Sequence, residues 1–195
     1  MPPPKFTSKL ILASSSPRRR QLLTEAGYEF TVVSPSELAE CGVCSGESPP
    51  ELVARLAYQK AADVSTHVGP SVIIACDTVV ECMGQILGKP RHEEHARAML
   101  EMLSGRRHRV YSGLCVWRVP EGEPQVRIDE TTLRMDPLSP THIAEYLAGG
   151  AWEGKAGSFG YQDGLDWVHI EQGSPTNVVG LPMELLTEML AAVVD

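Results

Sequence analysis

The chain has 195 residues, 43% of them apolar and 22% charged, and a formal net charge of −8. That length supports one substantial core or two small lobes, and the composition is ordinary for a globular protein. An acidic chain lacks a broad basic footprint, so no stable nucleic-acid complex is expected; no run reaches transmembrane length, so no membrane partner is expected.

The opening Met1-Pro2-Pro3-Pro4-Lys5 lacks the apolar core of a signal peptide, which points to a cytoplasmic protein with residues 1–8 as a flexible tail. Five cysteines, Cys41, Cys44, Cys76, Cys82 and Cys115, are an odd number and argue against a disulfide framework. Cys41 and Cys44 form a C-x-x-C, but no second pair or neighbouring histidine completes a zinc site. A redox pair is the alternative, and no strand leads into it.

Residues 10–12, Leu-Ile-Leu, predict a short buried strand. Ser14-Ser15-Ser16 follow, and Pro17 suits the first turn of a helix over 17–26 that stops at Gly27. Ser16 falls at the N-cap, where its hydroxyl can bond the free amides. Arg18, Arg19 and Arg20 then crowd the positive end of the helix dipole, where acids are normally favoured. A multivalent anion such as a polyphosphate resolves that conflict at a strand-to-helix turn. A capped helix with a solvated basic face is the plainer alternative.

Residues 28–33 predict a second strand, and 34–50 a loop carrying Glu37, Glu40 and Glu47. Acids near a phosphate-binding turn are candidate ligands for magnesium, which prefers oxygen; Glu47, just before Ser48-Pro49-Pro50, rather serves the next helix start. That helix spans 51–66, with Leu52, Val53, Leu56, Ala57, Ala61 and Ala62 on one face. Lys60 within it reads locally as a solvated charge. Residues 71–80 form a strongly buried strand interrupted by Asp77. An acid at the carboxyl end of an apolar strand is a natural metal ligand or general base. The alternative, a turn-starting aspartate, is countered by Val79-Val80 continuing the apolar run.

Residues 83–85 make a hairpin-like turn, and Gly88-Lys89-Pro90 pins a lysine between two backbone punctuators. His92 and His95 open a helix to Leu103; their spacing does not match a zinc-protease helix, and they read as surface. Strands are expected at 109–119 and 126–135, and a helix from Ser139-Pro140 to Gly149-Gly150. The glycine-rich segment 153–162 lets backbone approach a ligand and offers Phe159 or Tyr161 as a ring, ending at Gln162. A strand at 167–170 and a helix at 183–193 complete an α/β pattern.

Leu12-Ala13-Ser14-Ser15-Ser16-Pro17-Arg18-Arg19, Leu56-Ala57-Tyr58-Gln59-Lys60-Ala61, Asp77-Thr78-Val79-Val80 and Gly88-Lys89-Pro90 stand in an order that resembles the Maf family. Leu103-Ser104-Gly105, Lys155-Ala156-Gly157, Gln162 and Val179-Gly180-Leu181-Pro182 extend the resemblance over nearly the whole chain, as a single Maf-like domain over 1–195. It implies a mixed twisted sheet with flanking helices, two lobes around a cleft and an inosine triphosphatase-like fold. It also implies a cytoplasmic nucleoside triphosphate pyrophosphatase, often dimeric, that uses Mg2+ or Mn2+ to release a monophosphate and pyrophosphate. Carried across, Ser14, Ser16, Arg18 and Arg19 would hold phosphates, and Lys60 and Lys89 would add charge at the triphosphate. Asp77 would bind metal or activate water, with Glu37 and Glu40 competing for a second acid. Thr78 and Gln162 would contact substrate.

Asp77-Thr78 and the late glycine-rich segment resemble the branch acting on dTTP and UTP rather than the one acting on 7-methyl-GTP, which typically has Asp-Gln. A different class is a regulator that binds a nucleotide or RNA end without hydrolysis, in line with the family's link to septum formation. Asp77 separates the two, since a pure binder has little need of an acid beside a polyphosphate.

Overall fold

The structure, a computed structural model, describes residues 8–40 and 46–194, the side chains of Glu40 and Val194 excepted. Apart from Ser8, the expected tail lies outside the described residues, as do Cys41 and Cys44. The elements are β1 Lys9–Ala13, α1 Pro17–Glu25, β2 Thr31–Val32, α2 Pro49–Ser65, β3 Ser71–Cys82, β4 Gln85–Leu87, α3 Glu93–Leu103, β5 Arg107–Val119, β6 Gln125–Met135, α4 Pro140–Ala148, β7 Val168–Gln172, α5 Pro175–Val179 and α6 Met183–Val194. Single 3-10 turns add Glu37–Glu40, Ala156–Ser158 and Tyr161–Asp163. The strands form one mixed sheet in the order β2-β1-β3-β5-β6-β7, with β4 paired to β3. No described helix is long and apolar enough to cross a membrane.

Two compact units arise from discontinuous segments. The first comprises Met1–Asp77, Ser112–Asp129 and Gly180–Asp195. Within it β1, the first half of β3 and residues 112–116 of β5 are covered on both faces, which explains their unbroken apolar runs. Leu10 and Leu12 of β1 pack with Val72 and Ile74 of β3 against Leu186, Met189 and Leu190 of α6. The alternating residues Ile11, Ala13, Ile73 and Ala75 pack on Ala57, Ala61 and Val64 of α2. β5 lies close against α2: a side-chain carbon on Gly113 would fall 2.1 Å from the Val53 carbonyl oxygen, so only glycine fits.

The second unit comprises Thr78–Tyr111 and Glu130–Val179. Its core gathers Val80, Leu133 and Met135 from strands, Leu100 and Leu103 from α3, Ile143 and Leu147 from α4, and Trp167 from the turn before β7. Here β5 alternates: His108 and Val110 are buried, while Arg107 and Arg109 are exposed and pair with Glu171 and Glu130. Burial pushes His108 down to about 4, so it sits neutral, edge-on to Phe159. Phe159 therefore belongs to the core, which removes it as a ring offered to a ligand.

The expected strand at 28–33 shortens to Thr31–Val32, because the chain leaving Gly27 first buries Tyr28 in the core. The helix expected from 51 starts at Pro49, since Glu51 accepts the Ser48 amide at 2.8 Å and closes the first turn from Ser48. Glu47, expected at that start, pairs with Arg55 one to two turns into α2, at 2.6 Å.

Candidate active site

β1 and β3 run parallel, with Ala13 opposite Ala75. β1 ends there, whereas β3 runs on to Cys82, so the Ser14–Ser16 turn leaves the sheet beside Cys76-Asp77 in the middle of β3, which corrects the expectation of an acid at the strand's carboxyl end. Ser14 is buried, and its Oγ accepts the Ser16 amide at 3.2 Å and Arg19 Nη1 at 3.3 Å. Ser16 occupies the N-cap of α1 in extended backbone, but its side chain makes no cap bond. The expected hydroxyl cap is thus corrected: the hydroxyl bonded within this turn is that of Ser14. The first turn of α1 holds no acid; Arg18 is half-buried, Arg19 buried and Arg20 exposed. Arg19 Nε donates to the Gly180 carbonyl at 2.7 Å.

Lys60 departs most from its local reading. It is buried, and its ammonium donates to Asp77 Oδ1 at 2.6 Å. It is not a solvated charge because it shares the inward stripe of α2 with Val53, Leu56, Ala57, Ala61 and Val64. The three- and four-residue spacing of that stripe was the available signal. Asp77 keeps only 15% of its side-chain surface exposed. A carboxylate so buried needs a cation beside it, and Lys60 supplies one.

Glu37 is exposed on the 3-10 turn preceding α2, and that turn is fastened by Ser36, whose amide donates to Asp63 at 2.8 Å. Glu40 closes the same turn, its side chain outside the description. Among the described residues no three His, Cys, Asp or Glu side chains are grouped to hold a metal by themselves.

The second unit holds the remaining candidates. Thr78 follows Asp77 along β3 and is half-buried. Lys89 is exposed beside Gly88, whose carbonyl accepts the Gly157 amide at 3.1 Å. That bond joins the lysine turn to the glycine-rich segment. Within the segment Lys155 pairs with Asp163 Oδ2, and Gln162 Nε2 donates to Asp163 Oδ1 at 3.1 Å. Gly160 makes room for all three: a side-chain carbon there would lie 2.4 to 2.7 Å from their polar atoms. Lys155 and Asp163 were missed as neighbours of Gln162; their eight-residue separation crosses two one-turn helices and gives no periodic signal.

The family model for Maf-like proteins matches residues 9–193. The chain belongs to the Maf-like protein family. A relative from Rhodopirellula baltica, named dTTP/UTP pyrophosphatase, is 53% identical over 182 residues, covering 93% of this chain and 80% of its own. One from Pyrococcus abyssi with the same name is 41% identical over 184 residues, covering 93% and 94%. Among solved structures, a HAM1 protein from Coxiella burnetii superposes with a TM-score of 0.54 at 13% identity, covering 95% of this chain and all of the other. At that identity the likeness concerns the fold, and it agrees with the mixed α/β architecture expected of a Maf member.

Proposed function

We propose that this Maf member is a nucleoside triphosphate pyrophosphatase that cleaves dTTP and UTP to the monophosphate and pyrophosphate. The observation that carries the reading is the Asp77 carboxylate, held by buried Lys60 in the middle of β3, where β1 gives way to a helix start with no side-chain cap. The relatives named dTTP/UTP pyrophosphatase support the base preference.

The chemistry follows from charge. Cleavage between the α and β phosphates sends negative charge onto departing pyrophosphate. The amide dipoles of α1 and the Arg18 guanidinium stabilise that charge. Asp77 orients the attacking water and accepts its proton, while Lys60 fixes the carboxylate at Oδ1. Lys89, Gln162 and Thr78 take their roles from the family resemblance: charge at the triphosphate and contacts to substrate.

In this reading Asp77 would hold Mg2+ or Mn2+ together with the substrate phosphates. A single anchoring carboxylate suits Mg2+, which commonly binds through one or two carboxylates plus phosphates. The metal would neutralise phosphate charge and orient the triphosphate. Glu37 or Glu40 is the second acid in this reading. Buried free thiols at Cys76, Cys82 and Cys115 favour a reducing, cytoplasmic setting, and the resemblance favours a homodimer. The test is a ranking of kcat/KM across dTTP, UTP, CTP and 7-methyl-GTP. A lead for dTTP and UTP is expected; a clear lead for 7-methyl-GTP would overturn the preference.

A further inference from the structure

We propose that Arg19 is a positioning residue rather than a phosphate ligand, locking the Ser14–Ser16 turn and the middle of β3 onto one carbonyl oxygen, that of Gly180. The proposal rests on the pyrophosphatase reading and assigns one of its residues a different task.

Arg19 is 9% exposed and Ser14 4%. The guanidinium spends Nε on the Gly180 carbonyl at 2.7 Å and Nη1 on Ser14 Oγ at 3.3 Å. Both acceptors are interior groups, and Gly180 lies 161 residues away in sequence. Ser14 Oγ passes the constraint on by accepting the Ser16 amide at 3.2 Å, which sets the turn that opens α1. The Gly180 oxygen takes a second donor, Cys76 Sγ, at 3.3 Å. Cys76 is fully buried and immediately precedes Asp77. One carbonyl thus ties the anion-binding turn to the stretch of β3 that carries the reacting carboxylate.

The carbonyl is itself held in place. Gly180 has φ +118°, a backbone conformation that favours glycine, and Leu181 beside it is completely buried in the core shared with Leu12 and Cys76. Arginine suits the task because its planar fork serves two acceptors at fixed angles. A lysine keeps the charge and loses the fork. Misplacement of a reacting group by about 1 Å costs on the order of a hundredfold in rate.

The experiment measures pyrophosphate release from dTTP by wild type, Arg18→Lys, Arg19→Lys, Cys76→Ala and Cys76→Ser, at low and moderate salt. Arg19→Lys is expected to lower kcat by about thirtyfold to a hundredfold, with KM within about threefold and no added salt sensitivity. Ser14→Ala combined with Arg19→Lys should cost little more than Arg19→Lys alone, since both remove one linkage. Cys76→Ala should lower kcat by about threefold to tenfold, and Cys76→Ser, which keeps a donor, should recover most of it. Near-normal kcat in Arg19→Lys, with a raised and salt-dependent KM, would make Arg19 a phosphate ligand and overturn the proposal. If Arg19→Lys does not fold, the cysteine pair decides: unchanged kcat in Cys76→Ala overturns it. A wild-type chain that turns over dTTP but releases no pyrophosphate would instead overturn the underlying pyrophosphatase reading.

Discussion

Helices α1, α2 and α4 all begin with Ser-Pro, yet their first turns are finished differently. In α2, Glu51 accepts both the amide and the hydroxyl of Ser48, at 2.8 and 2.6 Å. In α4, Ser139 Oγ accepts the His142 amide at 3.1 Å. In α1, Ser16 makes no side-chain cap bond, the first turn has no acid, and arginines stand in its place. A missing cap costs a helix about 0.5–2 kcal/mol, and each cation at the positive end adds about 0.3–1 kcal/mol of strain at low salt. Of these three starts, those of α2 and α4 carry a side-chain bond that closes the first turn and that of α1 does not. That turn lies beside Asp77 on β3, and the proposed pyrophosphatase reading supplies an anionic ligand as the reason for the exception.

The largest effect expected from this contrast separates two arginines. Arg18→Ala should reduce kcat/KM by about 10²- to 10³-fold, as removal of a preorganised donor does. Arg107→Ala, exposed on β5 and paired with Glu171 at 2.8 Å, should stay within about twofold of wild type. Equal losses in steady-state assays would break the comparison. Closing α1 should come next. Ser16→Asp supplies the missing cap and should raise the melting temperature by about 2–4 °C, corresponding to about 1 kcal/mol. The same carboxylate should repel the triphosphate and lower kcat/KM by about tenfold or more. A gain in stability without loss of activity would show that the open turn is not a binding feature.

A smaller effect sharpens the comparison from the other side. Ser139→Ala should cost about 1 kcal/mol in denaturant unfolding and leave turnover unchanged. The smallest concerns pH. The Ser48 hydroxyl and amide hold the Glu51 carboxyl below its ordinary 4.5. The α2 cap is therefore fully present above that unfolded-state value and is lost as pH falls through the lower folded-state one. The stability difference between wild type and Glu51→Gln should shrink between pH 5 and pH 3, while the Ser139→Ala difference should not. Parallel behaviour of the two would show that Glu51 does not close α2 by charge.

Much of this architecture was legible because it depends on local chemistry. The run at 10–12, Pro17 and Gly27 fixed β1 and both ends of α1 to within a residue or so. The apolar run before Asp77 located β3, but it put the acid at a strand end, whereas Val79-Val80 carry the strand on to Cys82. The resemblance supplied the sheet and the family, which local patterns alone do not give. What escaped was nonlocal. Lys60 reads as solvent-facing until its place on the apolar stripe of α2 is weighed against Asp77, 17 residues on. The task of Arg19 depends on a carbonyl near the far end of the chain, and no spacing encodes that. Helix α5 was missed because Pro175–Val179 is short and ends in two β-branched valines, a poor helical composition. Phe159 looked like a ring for a ligand because glycines flank it, whereas packing against His108 claims it for the core.

The central claim is that Asp77 drives cleavage between the α and β phosphates of dTTP. It is tested most directly by identifying products by phosphorus NMR for wild type and Asp77→Asn in the presence of Mg2+. The asparagine keeps an oxygen for Lys60 and removes the charge that accepts a proton, so the fold should hold while turnover falls by about 10²-fold or more. Wild type should give dTMP and pyrophosphate in equal amounts. Release of orthophosphate with dTDP, or near-normal turnover by a folded Asp77→Asn variant, would contradict the account.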